Sequence, residues 1–145
     1  MNEPIRVLHV VNQMNSGGLE NRLMDIYRNI NKNLIQFDFL TFSMMSGSFD
    51  EEIKQLGGRV FNLKRISIFN FLFISNKVSL FLKTHRYKIV HCHLNQWCGH
   101  ILKGAIKEGV NVRIAHSRTA LNNSTLINMA KNISWGFLEV LKAIL

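Results

Sequence analysis

Apolar positions recur along this chain in two alternating periods, and together they predict strands and helices taking turns. Arg6-Val7-Leu8-His9-Val10-Val11 is a short apolar run, the pattern of a buried strand. Asn12 to Ser16 is polar, Gly17-Gly18 follows, and Leu19-Glu20 opens a helix. Leu19, Leu23, Ile26, Tyr27 and Ile30 share one stripe of that helix, the spacing of a core-facing element. Phe37 to Phe42 predicts a second strand. Ser48 and Glu51 stand three residues apart as a capping box, opening a short helix with Phe49, Ile53 and Leu56 inward and Gly57-Gly58 as its stop. Arg59 to Leu63 alternates as a third strand, and residues 69–84 read as a helix rich in Phe and Leu. Lys88-Ile89-Val90-His91-Cys92-His93 predicts a fourth strand, Trp97 to Glu108 a helix ended by Gly109, and Val112 to His116 a fifth strand. From Ser124 the pattern is helical again, with Leu126, Ala130, Ile133, Phe137, Leu141 and Ile144 in line.

This alternation predicts an α/β chain: a Rossmann-like, doubly wound parallel sheet with helices on both faces. The 145 residues suffice for one domain, and no internal repeat or low-complexity linker divides them. The last helix runs to Leu145 without a cap or polar tail, so the domain is expected to be truncated.

Composition narrows the class. The chain is 47% hydrophobic with one proline, which argues against disorder. Cys92 and Cys98 are too few for a disulfide framework, and no secretory signal opens the sequence, so a reduced, cytoplasmic protein is expected. The net charge of +9 is uneven: residues 1–52 hold four Lys/Arg against seven Asp/Glu, and residues 53–145 hold fourteen against Glu108 and Glu139. That asymmetry suits an anionic partner, whether a phosphate ligand, an acidic membrane surface or nucleic acid; a solvated basic surface is the plainer account. The aromatic residues sit at helix-core spacing rather than among exposed cations, so nucleic acid is not expected. The apolar stretch Arg65 to Ile74 is too short to span a bilayer. Flanked by Lys64, Lys77 and Lys83, it can either lie on an anionic membrane surface or form a core helix with its loop.

In an open parallel sheet, ligands bind beyond the carboxyl ends of the strands. Three loops fall there: Asn12–Gly18, His93–Trp97 and His116–Asn123. Gly17-Gly18 lets a ligand approach the backbone, but it is neither a dinucleotide fingerprint nor a P-loop, and a turn before a helix explains it as well. Glu20 in the first helical turn competes with an incoming anion. Arg113, His116 and Arg118 surround the end of the fifth strand. His116 can donate to a sugar hydroxyl or a phosphate and Arg118 can reach a phosphate; alternatively His116 is satisfied by a strand-end carbonyl. His91 and His93 share a strand face and, with Cys98 or His100, invite a zinc reading. The spacing matches no zinc pattern, so no metal is expected; His91 packs near the strand end and His93 enters the cleft.

Taken in register, Met14-Asn15-Ser16-Gly17-Gly18-Leu19-Glu20, Lys88-Ile89-Val90-His91-Cys92-His93 and Val112-Arg113-Ile114-Ala115-His116-Ser117 resemble the N-terminal domain of retaining glycosyltransferases of family 4. The resemblance extends over almost the whole chain and points to the capsular or exopolysaccharide subgroup. It implies the N-terminal, acceptor-side half of a GT-B fold. The C-terminal domain, which holds most of the nucleotide-sugar, lies outside this sequence, and the chain alone is expected to be inactive. By the same resemblance Gly17 and Gly18 approach the donor diphosphate, and His116 contacts the transferred sugar. His93 and Arg118 are placed with the donor site. The substrates implied are a nucleotide-sugar and a saccharide or lipid-linked acceptor at the inner membrane face, with no metal or other cofactor. A non-catalytic α/β module binding an anion or a partner is the competing reading.

Overall fold

The structure, a computed structural model, describes residues 3–63 and 73–117. Among the described residues five strands form one sheet: β1 (Ile5–Val10), β2 (Ile35–Thr41), β3 (Val60–Asn62), β4 (Ile89–Cys92) and β5 (Val112–Ala115). Every pairing is parallel, in the order β3-β2-β1-β4-β5. The connecting helices are α1 (Gly18–Asn29), α2 (Asp50–Gln55), α3 (Ile74–His85) and α4 (Cys98–Lys107), the last preceded by a single tight turn at Asn95–Trp97. This is the α/β, Rossmann-like arrangement that the alternating pattern predicts.

The sheet divides two apolar layers. Leu8, Val10, Leu40, Val90 and Cys92 pack with Ile74, Val78 and Leu82 of α3 and Ile101, Leu102 and Ala105 of α4. Val11, Phe37 and Phe39 pack with Leu19, Leu23, Met24 and Tyr27 of α1 and Ile53 of α2. Covered on both faces, β2 is buried from Gln36 to Thr41, the near-continuous burial expected of an inner parallel strand. Each fully buried Leu or Val side chain contributes roughly 1.5–3 kcal/mol. Gly104 lets α3 and α4 approach, since a Cβ there would lie 2.6 Å from the Ser75 carbonyl oxygen.

One buried carboxylate ties four segments together. Asp38 of β2, with a fully buried side chain, pairs with Arg6 of β1 at 2.6 Å. It also accepts the Arg59 backbone N–H at 2.8 Å and the Tyr87 hydroxyl at 2.6 Å. Buried charge is retained only when so satisfied.

Two expectations need adjusting. The predicted capping box does not form. The cap position of α2 is Phe49, with no side-chain cap hydrogen bond. The Ser48 backbone N–H is taken by Asn15 Oδ1 at 2.9 Å, and Glu51 turns to Lys54 at 2.7 Å. Asp50 Oδ2 instead accepts the Gly47 N–H at 2.9 Å. β3 is also shorter than the Arg59–Leu63 run, spanning only Val60–Asn62. Gly57 (φ +90) and Gly109 (φ +66) do end α2 and α4 in the left-handed conformation that glycine allows. The apolar run at 65–72, Arg118 and the helical pattern from Ser124 lie outside the described residues. Among the described residues no helix is long and apolar enough to cross a membrane.

Candidate functional site

β1 hands the chain to α1 on the β2 side, whereas β4 hands it to α4 on the β5 side. Between β1 and β4, therefore, the sheet has its topological switch point, where loops part and open α/β sheets take ligands. The loops that meet there are Val11–Gly17 after β1 and His93–Trp97 after β4, with His116 just beyond β5.

The loop after β1 is held from behind by the loop after β2. Phe42 N–H donates to the Asn12 carbonyl and Phe49 N–H to the Met14 carbonyl, both at 3.0 Å. Gln13 Nε2 donates to the Met45 and Ser46 carbonyls at 3.2 and 3.1 Å. Met14 itself is fully buried. These ties fix the approach to Gly17, the residue that precedes α1 in extended conformation. Among the described residues no side chain caps α1, which leaves its first N–H groups at the positive end of the helix dipole without a capping partner there. A Cβ on Gly18 would meet no atom within 4 Å, while one on Gly17 would meet the Glu20 carboxylate at 2.5 Å. Nothing inside the described protein therefore requires glycine at position 18.

Beside this loop, four imidazoles line the face of the sheet that carries α1. His9 in β1 lies opposite His91 in β4, and His91 opposite Ile114 in β5. His9 Nδ1 and His93 Nε2 are 3.1 Å apart. The His91 and His93 ring centres are separated by 4.0 Å, and the His116 ring lies 5.5 Å from His91 and 5.3 Å from His93. The His116 backbone N–H donates to the Cys92 carbonyl at 2.9 Å, which fixes the chain as it leaves β5. Burial, then the neighbouring His93 and His91, holds His9 well below the usual imidazole range. Burial and His116 lower His91 as well. Both are neutral near pH 7.

The structure thus brings His93 and His116 together, and it sets Gly17, Gly18 and His116 along one edge of the sheet. Two strand spacings, about 10 Å, separate β1 from β5. His116 is exposed. His93 is 1% exposed and lies beneath the cleft surface rather than projecting into it, because His9, His91 and His116 surround its ring. The sequence reading missed His9. Its signal was a histidine one residue before the end of the first strand, at the level where a parallel neighbour carries His91. Cys98 cannot join these imidazoles. Its thiol donates to the Cys92 carbonyl at 3.4 Å inside the apolar layer on the opposite face, where burial also pushes the Cys92 thiol up.

A parallel sheet with helices on both faces, a glycine-led helix start and a row of imidazoles at its switch point defines a Rossmann-like α/β protein. The chain is 41% identical over 113 residues to the protein named glycosyltransferase EpsF of Bacillus subtilis (strain 168), an alignment covering 77% of this chain and 29% of that protein. It is 30% identical over 143 residues to the capsular polysaccharide biosynthesis glycosyltransferase CapH of Staphylococcus aureus, covering 97% of this chain and 38% of the relative. The chain therefore spans about a third of the length of these relatives. No family model matches it, and no solved structure does.

Proposed function

We propose that this chain is the acceptor-side part of a glycosyltransferase of the retaining, GT-B type that moves a sugar from a nucleotide-sugar to a saccharide or lipid-linked acceptor in surface polysaccharide synthesis. The observation that carries the reading is a juxtaposition. The uncapped start of α1 and the exposed His116 share one sheet edge, in a chain similar to a capsular polysaccharide glycosyltransferase along 97% of its length.

The roles follow from the chemistry. Departure of a nucleoside diphosphate leaves negative charge that a metal-free site must meet with fixed donors. The N–H groups at Gly18 and Leu19 are such donors, and the open space beside Gly18 leaves room for the phosphates to reach them once the Glu20 carboxylate, which lies beside Gly17, turns away. His116 donates to a hydroxyl of the sugar being transferred, with His93 backing its ring from below. Arg118, which follows β5 in sequence and lies outside the described residues, is assigned a share in meeting the charge of the diphosphate. The remaining wall, which grips the nucleotide, is assigned to a further domain, in keeping with relatives more than twice as long as this chain. Lys77, Lys83, Arg86 and Lys88 give the α3 side a basic character suited to a peripheral position on an anionic membrane. The enzyme works on the cytoplasmic side, where nucleotide-sugars are made.

The test is His116→Ala in the intact enzyme, with sugar transfer and thermal stability measured together. The reading expects turnover to fall by about 10²-fold or more, the scale of losing one positioned donor, while stability holds. Equal, small losses in both would assign His116 a packing role instead.

A further inference from the structure

Three of the four imidazoles do more than line a cleft. One ring nitrogen from each of His9, His91 and His93 lies within 4.8 Å of the other two, a grouping contributed by β1, β4 and the first residue after β4. In the reaction proposed above none of these rings touches donor or acceptor, and the backing that His93 gives His116 does not account for His9 and His91 converging on it.

We propose that His9, His91 and His93 form a binding site for one divalent transition-metal ion, of which Zn²⁺ is the best match. Three neutral imidazoles are a ligand set that zinc accepts, with a fourth position left for water or another oxygen. Tetrahedral coordination at about 2.0–2.1 Å places ligand nitrogens roughly 3.3–3.4 Å apart. His9 Nδ1 and His93 Nε2 already stand at 3.1 Å, hydrogen-bonded to each other through a proton that the ion would displace, and a shift of the His91 ring would bring its nitrogen in from within 4.8 Å. His91 Nε2 is buried with no hydrogen-bond partner among the described residues. A buried imidazole nitrogen is seldom left so unless something else satisfies its ring. Coordination keeps each imidazole neutral, its one proton on the nitrogen that does not face the ion.

The surroundings suit an ion of this kind. Phe37 and Phe39 flank the His9 ring at 4.3 and 5.5 Å between centres and fix its plane. They supply the apolar shell that strengthens nitrogen ligation. His91 is half-buried and His116 exposed, so the ion reaches the site from the open side of β4 and β5. The ion would brace the floor of the cleft where β1 and β4 part, and it takes no part in the transfer chemistry.

The test uses the intact protein, stripped with a chelator and dialysed. Zn²⁺ binding is followed by calorimetry, and Co²⁺ is added separately as a visible-absorption probe. The expected result is Zn²⁺ uptake together with the intense visible band of four-coordinate Co²⁺. His9→Gln and His91→Gln should each weaken Zn²⁺ binding by at least about 100-fold, more than loss of an outer-shell partner costs. His85→Gln, whose ring packs on Phe61 and Phe81 elsewhere, should change nothing. Circular dichroism verifies that each variant folds, and if His9→Gln does not, the half-buried His91→Gln decides. Absence of Zn²⁺ uptake, or uptake indifferent to His91→Gln, overturns the proposal.

Discussion

Substituting Gly47 by Ala perturbs the candidate site from a distance, through the contact that holds its loop. Gly47 lies in the connection after β2, and a Cβ there would sit 2.5 Å from the Met14 carbonyl oxygen and 2.7 Å from its carbon. That is about 1 Å closer than the roughly 3.5 Å at which non-bonded atoms attract, and neither atom belongs to a flexible side chain. Relieving the overlap moves the Met14 carbonyl, which accepts the Phe49 N–H at 3.0 Å, or the Gly47 N–H, which donates to Asp50 Oδ2 at 2.9 Å. Overpacking of this kind costs typically 1–3 kcal/mol. A strained or lost hydrogen bond adds about 0.5–1.5 kcal/mol. The expected destabilisation is therefore about 2–4 kcal/mol. In urea it appears as a lowered midpoint with an unchanged slope. Gly109→Ala is the calibration. Its φ is +66 but its Cβ would meet nothing within 4 Å, so only the left-handed conformation is penalised, about 1–2 kcal/mol. Because Met14 leads directly into Gly17, Gly47→Ala should also weaken nucleotide-sugar binding, which Gly109→Ala should leave alone. Stability within about 0.5 kcal/mol of the parent, together with unaltered donor binding, would refute the idea that the two loops brace one another.

Further outcomes follow from buried polar groups. Tyr87→Phe removes the 2.6 Å hydrogen bond to the buried Asp38 carboxylate and should cost about 1.5–3 kcal/mol, the range for bonds to charged groups. A thermal midpoint unchanged by this substitution would contradict the tying role given to Asp38. Tyr27, buried and hydrogen-bonded to Gln36 Oε1 at 2.5 Å, has its phenol pushed up to about 12, first by burial and then by Asp38. An unfolded tyrosine ionises near pH 10, so its contribution to stability is intact below about pH 10 and is lost as pH rises toward 12. Unfolding free energies measured across that window should fall more steeply for the parent than for Tyr27→Phe; parallel curves would sink the assignment.

The alternation of strands and helices was readable because each element buries a face whose period is local. β2 and α1 were visible from that rule alone, and so was the end of α2 at Gly57, where a left-handed turn calls for glycine. The capping box at Ser48 was misread for a reason no local pattern contains. Asn15, thirty-three residues earlier, claims the Ser48 N–H that the box needs. His9 escaped notice similarly. Within its own strand it is one more alternate position, and its meaning arises only when β4 pairs in parallel and sets His91 opposite it. His93 was expected to face the cleft because it ends a strand. It is covered because β1 supplies a ring at hydrogen-bonding distance. That Gly17, Gly18 and His116 lie along one sheet edge follows from the strand order; a shared role in donor binding was suggested by the family resemblance alone, since nothing in their own composition distinguishes a phosphate loop from a turn.

The central claim is that the start of α1 receives the diphosphate of a sugar donor, and Gly18→Val addresses it most directly. Since a Cβ at this position would meet no atom of the described protein within 4 Å, folding stability should stay within about 0.5 kcal/mol of the parent. Titration of the intact protein with a panel of nucleotide-sugars should show the bound donor losing affinity by about tenfold or more, at least 1.4 kcal/mol. Full affinity in a stably folded Gly18→Val protein would contradict the account.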